Sequence, residues 1–293
     1  VIVPATLFDY GFFDEIEGLN ENVFEVYTLN EYIELGKPVT NAVRLKIQEL
    51  LLEGSSLSHD EKTIEECFYD LDKVQMMMPL HVQNYTDFYS SIEHATNVGK
   101  MFRDPANALL PNWKHLPVGY HGRASSIVVS GINFHRPKGQ MKPADAEKPI
   151  FGASKQLDFE LEMAFVLNKN TEIGESITTQ EAEDAIFGMV IFNDWSARDI
   201  QSWEYVPLGP FLGKNFCSSI SPWVVTLEAL EPFRTASPKQ EPEVLDYLKF
   251  EGDKNFDINL EVYLQPENGE ENLICKSNYK YMYWNMTQQL AHH

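Results

Sequence analysis

The chain has few cysteines and no long apolar run. Its three cysteines, Cys67, Cys217 and Cys275, are odd in number and widely spaced, a set that predicts neither a disulfide framework nor a zinc knuckle. No apolar stretch approaches the ~18 residues that a membrane-spanning helix needs. We therefore expect a protein of a reducing, cytoplasmic compartment without a transmembrane helix.

Basic residues are also scarce. The sequence has 23 Lys and Arg against 44 Asp and Glu, which gives a formal net charge of −21. Such an acidic surface repels phosphate backbones and anionic membranes, so neither nucleic acid nor a membrane is expected as a partner. It also repels a carboxylate substrate, unless a metal ion or a few basic side chains reverse the field locally.

What the sequence does contain is enough apolar material for a core. Its 293 residues are 43% hydrophobic and 12% aromatic, which predicts one large domain or a large and a small one. The chain starts at Val1 and stops at His293 without a turn signal, so we expect a fragment, and a targeting peptide upstream remains open.

Residues 1–79 have the pattern of a small α/β domain. Thr28 and Glu31 have the spacing of a capping box, for a short helix that Gly36 ends. Residues 41–53 place apolar side chains at helical spacing. The methionine run that ends at Pro79 is the predicted joint to the next domain, since such runs are usually flexible core filler.

Residues 80–293 predict a β-rich α+β domain. Apolar stretches between Gly and Pro turns predict its strands: Ile127–Ser130, Asp158–Leu167, Gly188–Asn193, Pro222–Thr226 and Asp257–Leu264. Two helices are predicted by the start signals Ser90-x-x-Glu93 and Thr178-x-x-Glu181. Residues 284–293 are a third candidate helix.

Three acids, Asp158, Glu160 and Glu162, share one face of the predicted strand at residues 158–167. Glu160 and Glu162 are two positions apart, which places their carboxylates on the same side, about 6.5–7 Å from each other along the strand. They could converge on one hard cation. The alternative is an ordinary exposed strand face.

Two aspartates extend this set. Asp194 closes an apolar strand just before the helix start Ser196-x-x-Asp199, a common place for ligand chemistry, although it could merely cap that helix. Asp87 precedes the helix that carries His94. Four oxygen donors without Cys or His suit Ca²⁺ or Mg²⁺ and not zinc.

Cationic and amide side chains follow Asp194. Arg198, Gln201 and Tyr205 have the spacing i, i+3, i+7, which puts them on one side of a helix. They form either an anion-binding wall or a polar solvent face. Lys214 ends a loop stiffened by Pro and Gly, which either aims it at a site or leaves it on the surface.

His94 is the candidate base. An unperturbed pKa near ~6.5 lets a histidine take a proton from water at neutral pH, although a given histidine is more often structural. The sequence has no G-x-S-x-G elbow, no H-E-x-x-H, no P-loop and no G-x-G-x-x-G after a strand. If the protein is a hydrolase, we therefore expect water as the nucleophile.

Several long stretches resemble the eukaryotic fumarylacetoacetate hydrolase family. The resemblance is carried over residues 80–293 by Tyr85–Ser91, His94–Gly99, Asn107–Trp113, Leu116–Ser126, Leu157–Met163, Asn193–Asp199 and Trp203–Lys214. Residues 1–79 match more loosely, as the end of the family's small N-terminal domain. Acylpyruvate hydrolases and decarboxylases belong to the same superfamily, and their activities remain the alternative functions.

The resemblance implies an SH3-like N-terminal domain, a larger catalytic β-roll that is incomplete at its C-terminus, and a homodimer with bound Ca²⁺ and Mg²⁺. Its implied metal ligands are Asp87, Glu160, Glu162 and Asp194 for calcium, and Asp194, Lys214 and Ser218 for magnesium. Its implied catalytic residues are His94, Arg198, Gln201 and Lys214. Its implied substrate-binding residues are Tyr89, Arg103, Tyr120, Gln201 and Tyr205.

The implied reaction is hydrolysis of the C–C bond of 4-fumarylacetoacetate, a dianionic diketone, to fumarate and acetoacetate in tyrosine and phenylalanine breakdown. The family more usually has Thr where this chain has Ser218. Its chains continue beyond the position of His293 with a Gly-Thr turn and a glutamate that orients the catalytic histidine. A catalytically silent fragment is therefore a further alternative.

Overall fold

The computed structural model describes residues 1–293, apart from the side chain of Phe102. The helices are α1 (Pro4–Asp9), α2 (Asn30–Glu34), α3 (Lys37–Leu50), α4 (Glu61–Cys67), α5 (Ile92–Phe102), α6 (Thr179–Ala185), α7 (Arg198–Glu204), α8 (Leu227–Leu230) and α9 (Met286–His292). The strands are β1 (Thr86–Phe88), β2 (Gly119–His121), β3 (Ile127–Val129), β4 (Lys138–Met141), β5 (Ile150–Ala153), β6 (Leu157–Asp158), β7 (Leu161–Leu167), β8 (Ile186–Asp194), β9 (Ser196–Ala197), β10 (Ser218–Ile220), β11 (Val225–Thr226), β12 (Arg234–Thr235), β13 (Asn255–Phe256), β14 (Asn259–Leu264) and β15 (Asn272–Asn278).

The predicted α+β, strand-rich class is confirmed. Among the described residues, no set of strands closes into a barrel. None of the helices in the described chain is long and apolar enough to cross a membrane.

Strand β8 organises the main sheet. Its apolar run is buried on both faces over most of its length, as expected for a central strand. Antiparallel β7 pairs with one edge of β8, and antiparallel β10 and β11 pair with the other. Strand β3 then joins β10 in parallel. Because β8 ends at Asp194, this pairing brings that residue level with Ser218 of β10.

The N-terminal region differs from the expected SH3-like barrel. In the described structure of residues 1–79, helices α1–α4 pack around buried Leu7, Phe13 and Val43, and the only strand pairing there is the isolated bridge between Ile2 and Phe68. Helical apolar spacing and many turns leave no alternating stretch long enough for a ladder. The division into residues 1–79 and 80–293 stays a prediction.

Of the helix starts predicted from the sequence, one is confirmed, one is shifted by a residue and two were wrong. The capping box of Thr178 and Glu181 is confirmed. Helix α5 starts one residue later than predicted, because the hydroxyl of Ser91 accepts from the backbone N–H of His94. The capping box at Thr28 was wrong, since α2 has Leu29 at its N-cap and no side-chain cap bond. The predicted helix start at Ser196 was also wrong, because Ser196 lies in β9 and pairs with Asp158 of β6.

Candidate active site

Three carboxylates from three strands meet at one end of the main sheet. One ligand atom each from Asp87, Glu162 and Asp194 can be chosen so that all lie within 4.8 Å of one another. Asp87 lies in β1 opposite Tyr120 of β2, and Glu162 lies in β7 opposite Phe192 of β8. These acids are distant in sequence, so the fold brings them together: β7 pairs with β8 in the main sheet, and the separate sheet of β1 and β2 packs beside it.

Burial makes this group costly to ionise. Desolvation and the nearby charge of Asp194 raise the pKa of Asp87 to about 7. Desolvation, Asp87 and Glu160 raise the pKa of Glu162 well above its usual value. Like charges this close disfavour one another unless a cation lies between them, and clustered carboxylate oxygens are the donors that Ca²⁺ and Mg²⁺ prefer.

Glu160 lies outside this group of three and faces basic side chains. Its Oε2 accepts from Nζ of Lys214 at 2.6 Å, and its Oε1 lies 2.8 Å from a terminal nitrogen of Arg198 and 3.6 Å from Nε2 of His94. Burial pushes the pKa of Glu160 up, but Lys214, His94 and Arg198 outweigh it and hold the pKa at about 2. The structure thus brings three of the four predicted carboxylates around one point.

Lys214 connects Glu160 to the group of three. Its ammonium donates to Glu160 and, at 2.8 Å, to Oδ2 of Asp194, and its side chain is 5% exposed. Burial lowers the pKa of Lys214, but the surrounding carboxylates, Glu160 first, raise it to about 12. Gly213 explains the close approach of this loop, because a Cβ there would lie 2.8 Å from the backbone of Gln201.

The base predicted from the sequence lies beside Glu160. His94 is on the first turn of α5, and its side chain is 38% exposed, so it is reachable from solvent. Burial lowers its pKa, against the opposing effect of Glu160. The ring of Tyr89 packs edge-on at 5.5 Å between centroids. At neutral pH the imidazole is therefore neutral and able to accept a proton.

Helix α7 places its polar residues inward. Buried Arg198 donates to Asp158 at 2.9 Å and to Oε1 of Gln201 at 3.0 Å, in addition to its contact with Glu160. The solvent-face alternative therefore fails for Arg198. Tyr205 follows directly as the C-cap of the helix and is half-buried.

The predicted substrate-binding side chains are held by the protein itself in this structure. The hydroxyl of Tyr89 donates to the carbonyl of Ala95 at 3.0 Å. The guanidinium of Arg103 donates to the carbonyl of Ala108 at 3.2 and 2.8 Å. Tyr120 lies opposite Asp87 in the pairing of β1 with β2, and its hydroxyl is 3.4 Å from a guanidinium nitrogen of Arg123.

One residue at the site, Arg123, was not predicted from the sequence. The guanidinium of Arg123 donates to Oδ1 of Asp194 and, at 2.9 Å, to Oγ of Ser218. Ser218 donates to the same Asp194 oxygen at 3.0 Å. Arg123 stands in a motif stretch, Leu116–Ser126, but no spacing links it to Asp194 along the chain, and only the fold reveals the contact.

The donor set fits a divalent cation. Its atoms are carboxylate oxygens, without the thiolates or imidazoles that zinc selects. Two polar atoms beside it, the hydroxyl of Tyr85 and Nε of Arg123, are buried without a hydrogen-bond partner in the described structure. Such atoms are usually satisfied by ordered water or a ligand.

Comparisons with known proteins show what this chain is similar to. The family model for the C-terminal part of fumarylacetoacetate hydrolases matches residues 83–293, and that for the fumarylacetoacetase N-terminal part matches residues 2–79. Fumarylacetoacetase of Homo sapiens is 50% identical across 100% of this chain and 70% of its own length. That of Arabidopsis thaliana is 47% identical over the same shares of the two chains. A solved fumarylacetoacetate hydrolase of Exiguobacterium antarcticum is 20% identical, with a TM-score of 0.45 over 78% of this chain and 63% of that one.

Proposed function

Because this chain belongs to the fumarylacetoacetate hydrolase family, we propose that it hydrolyses the C–C bond of 4-fumarylacetoacetate to fumarate and acetoacetate, in tyrosine and phenylalanine catabolism. The observation that carries the proposal is the continuous set of contacts from His94 through Glu160 and Lys214 to Asp194. These contacts connect a neutral base, His94, to the cluster of carboxylates that suits a divalent cation.

The cofactors of the proposal are Ca²⁺ and Mg²⁺. A divalent cation would be held by Asp87, Glu162 and Asp194. Three further side chains would lie next to these ligands: Glu160, Lys214 and Ser218. A cation bound there supplies a Lewis acid that polarises the diketone oxygens and eases departure of an enolate. It also offsets the acidic surface locally, so that a dianionic substrate can approach.

His94 acts as the general base on the attacking water. Its lowered pKa keeps the imidazole neutral at pH 7, and the carboxylate of Glu160 stabilises the imidazolium that proton transfer creates. The water oxygen forms a bond to the fumaryl carbonyl carbon. The bond from that carbon to the acetoacetate carbon then breaks, and the acetoacetate carbon takes up a proton.

Cationic and amide donors stabilise the negative charge that develops on the carbonyl oxygen. Arg198, Gln201 and Lys214 are held together by Glu160 and by their own hydrogen bonds. In other enzymes one such donor contributes about 3–4 kcal/mol. The proposed substrate-binding side chains are those of Tyr89, Arg103, Tyr120, Gln201 and Tyr205. To bind substrate oxygens, Tyr89 and Arg103 must give up the backbone carbonyls to which they donate in this structure.

The test is turnover of fumarylacetoacetate by His94→Ala, with His115→Ala as a matched control because His115 is exposed. We expect His94→Ala to lower kcat by at least about 100-fold, the usual contribution of a general base, and His115→Ala to leave it unchanged. Chelation should silence the wild-type protein, and added Mg²⁺ or Ca²⁺ should restore it. Equal rates in both variants, or full activity after chelation, would reject this mechanism.

Three further parts of the proposal concern organisation. We propose that residues 80–293 form the catalytic domain beside a smaller domain of residues 1–79, that the protein is a homodimer, and that it is cytoplasmic. The dimer is supported by exposed apolar side chains such as Leu208 and Phe211, and the location by the free cysteines. Light scattering of the purified protein and cell fractionation test the last two.

A further inference from the structure

Arg123 touches two of the three clustered carboxylates, one directly and one through a tyrosine. Its guanidinium bonds Oδ1 of Asp194 at the end of β8. Another of its nitrogens lies 3.4 Å from the hydroxyl of Tyr120, and Tyr120 lies directly opposite Asp87 in the pairing of β1 with β2. The side chain is only 12% exposed, so solvent does not compete for these bonds.

The two aspartates belong to different sheets. Asp87 is in the two-stranded sheet of β1 and β2, and Asp194 is in the main sheet. No strand pairing fixes the distance between these sheets in the described structure. Arg123 lies two residues after the end of β2 and reaches across to Asp194 and Ser218, so it joins the sheet of one acid to the sheet of the other.

The local backbone is shaped for this reach. Gly122 precedes Arg123, and a Cβ at Gly122 would lie 2.1 Å from the ring of Tyr85. The guanidinium itself lies 5.9 Å from the centre of that ring. The backbone at Gly122 thus packs against the ring of Tyr85 at a distance that only glycine allows. This close approach places the next side chain, Arg123, within reach of Asp194.

We propose that Arg123 is a positioning residue, which braces Asp194 and, through Tyr120, Asp87 so that both carboxylates meet Glu162 around one divalent cation. This inference rests on the proposed metal-dependent function. A planar guanidinium can donate to several acceptors at fixed angles, which a lysine ammonium cannot reproduce. Partners that orient metal ligands in this way typically contribute 10–100-fold to metal affinity.

Simple electrostatics predicts the opposite effect. A fixed positive charge beside the carboxylates repels a divalent cation, so removal of Arg123 would tighten binding if its charge were all that mattered. If Arg123 were only part of the packing, its removal would lower stability and leave metal affinity unchanged. Metal affinity therefore separates the three roles.

The experiment is calorimetric titration of the purified protein with Mg²⁺ and, separately, with Ca²⁺. We expect Arg123→Met to weaken binding by about 10–100-fold and Arg123→Lys to give an intermediate Kd. Arg44→Met is the matched control, because Arg44 is a half-buried arginine of the N-terminal region whose Nε donates to the nearby Asn41; its Kd should equal that of the wild type. An unchanged or tighter Kd in Arg123→Met would overturn the proposal.

A second variant protects the test against misfolding. In Arg123→Ala, millimolar guanidinium chloride should recover metal affinity by filling the vacated space, whereas the same ionic strength of NaCl should not. If guanidinium chloride does not restore metal affinity in an Arg123→Ala protein that has the wild-type circular dichroism spectrum, the proposed positioning role of Arg123 is contradicted. Failure of the wild-type protein to bind either cation would instead reject the proposed function, so the two failures are distinguishable.

Discussion

Two clusters of partly buried charge occur in this protein, and they are built differently. In the Glu183 cluster, Arg234 lies 2.9 Å from Glu183 and 2.8 Å from Glu231, and Lys254 pairs with the second oxygen of Glu183. Two acids there meet two bases, and Glu231 remains largely exposed. These charges satisfy one another without help from any ligand.

The Asp194 cluster contains Asp87, Glu160, Glu162, Asp194, Arg123, Arg198 and Lys214. Its four acids outnumber its three bases, and Asp194 is completely buried. Burial and mutual repulsion raise the pKa values of Asp87 and Glu162. A buried surplus of negative charge costs stability, so the comparison separates a self-sufficient structural cluster from one with unbalanced buried acids, for which we propose a cation.

The strongest way to break this comparison is the same substitution in both clusters. Lys214 and Lys254 have side chains that are 5% and 9% exposed. We expect Lys214→Met to lower kcat/KM by about 100–1000-fold, the loss typical of an oxyanion donor. Lys254→Met should reduce the melting temperature and leave kcat/KM within about twofold, because its partner Glu183 keeps Arg234.

Steady-state kinetics and thermal melts of both variants provide the measurement. A comparable loss of kcat/KM in the two would mean that the Asp194 cluster has no special chemical role. An unaffected Lys214→Met would remove the lysine from the site.

The second prediction concerns the cation. Asp194→Asn keeps the volume of the side chain but removes its charge, and we expect Mg²⁺ and Ca²⁺ affinity to fall by more than the about 10–100-fold typical of outer partners. Glu183→Gln should not change that affinity. Calorimetry decides, and equal affinities in the wild type and Asp194→Asn would refute the assignment of this ligand.

The smallest effect is a dependence of cation affinity on pH. The pKa of Asp87 is raised to about 7, so between about pH 4 and 7 the metal-free folded state binds a proton that the unfolded state has lost. Its stability therefore falls as pH rises through this range. Cation binding requires the ionised form, so affinity should rise about fivefold from pH 6 to pH 7, about twofold more to pH 8, and level off above that.

Calorimetry at pH 6, 7 and 8, in two buffers with different ionisation enthalpies, measures both the affinity and the proton released. Affinity that is constant over this range, with no released proton, would show that the carboxylates are already ionised before the cation binds.

Local patterns predicted much of this structure where the signal lies within a few residues. The capping box at Thr178 and the apolar run of β8 depend on neighbouring positions, and both are present. The patterns were less reliable where a neighbouring strand competed, as at Ser196, which pairs with Asp158 in place of capping α7. Tertiary pairing overrides a weak local signal of this kind.

The acids of the site were identifiable from the sequence, but their division of roles was not. Alternation along a strand placed Glu160 and Glu162 on one face, which implied a shared partner. In the structure Glu162 joins Asp87 and Asp194, while Glu160 faces Lys214 and Arg198. The break between β6 and β7 falls at residues 159–160, and no periodicity marks it.

The sequence by itself determined the strand-rich α+β class, the family and the supply of oxygen donors, because residue type, short-range spacing and long motifs are properties of the chain alone. The tertiary structure decided which donors meet, that Lys214 links two acids, and that Arg123 reaches Asp194. The hydrogen bonds of Lys214 and Arg123 to the carboxylates of this site and to Ser218 join residues from 20 to 95 positions apart. Distance in space between such residues is set by strand register and sheet packing, and no local pattern encodes it.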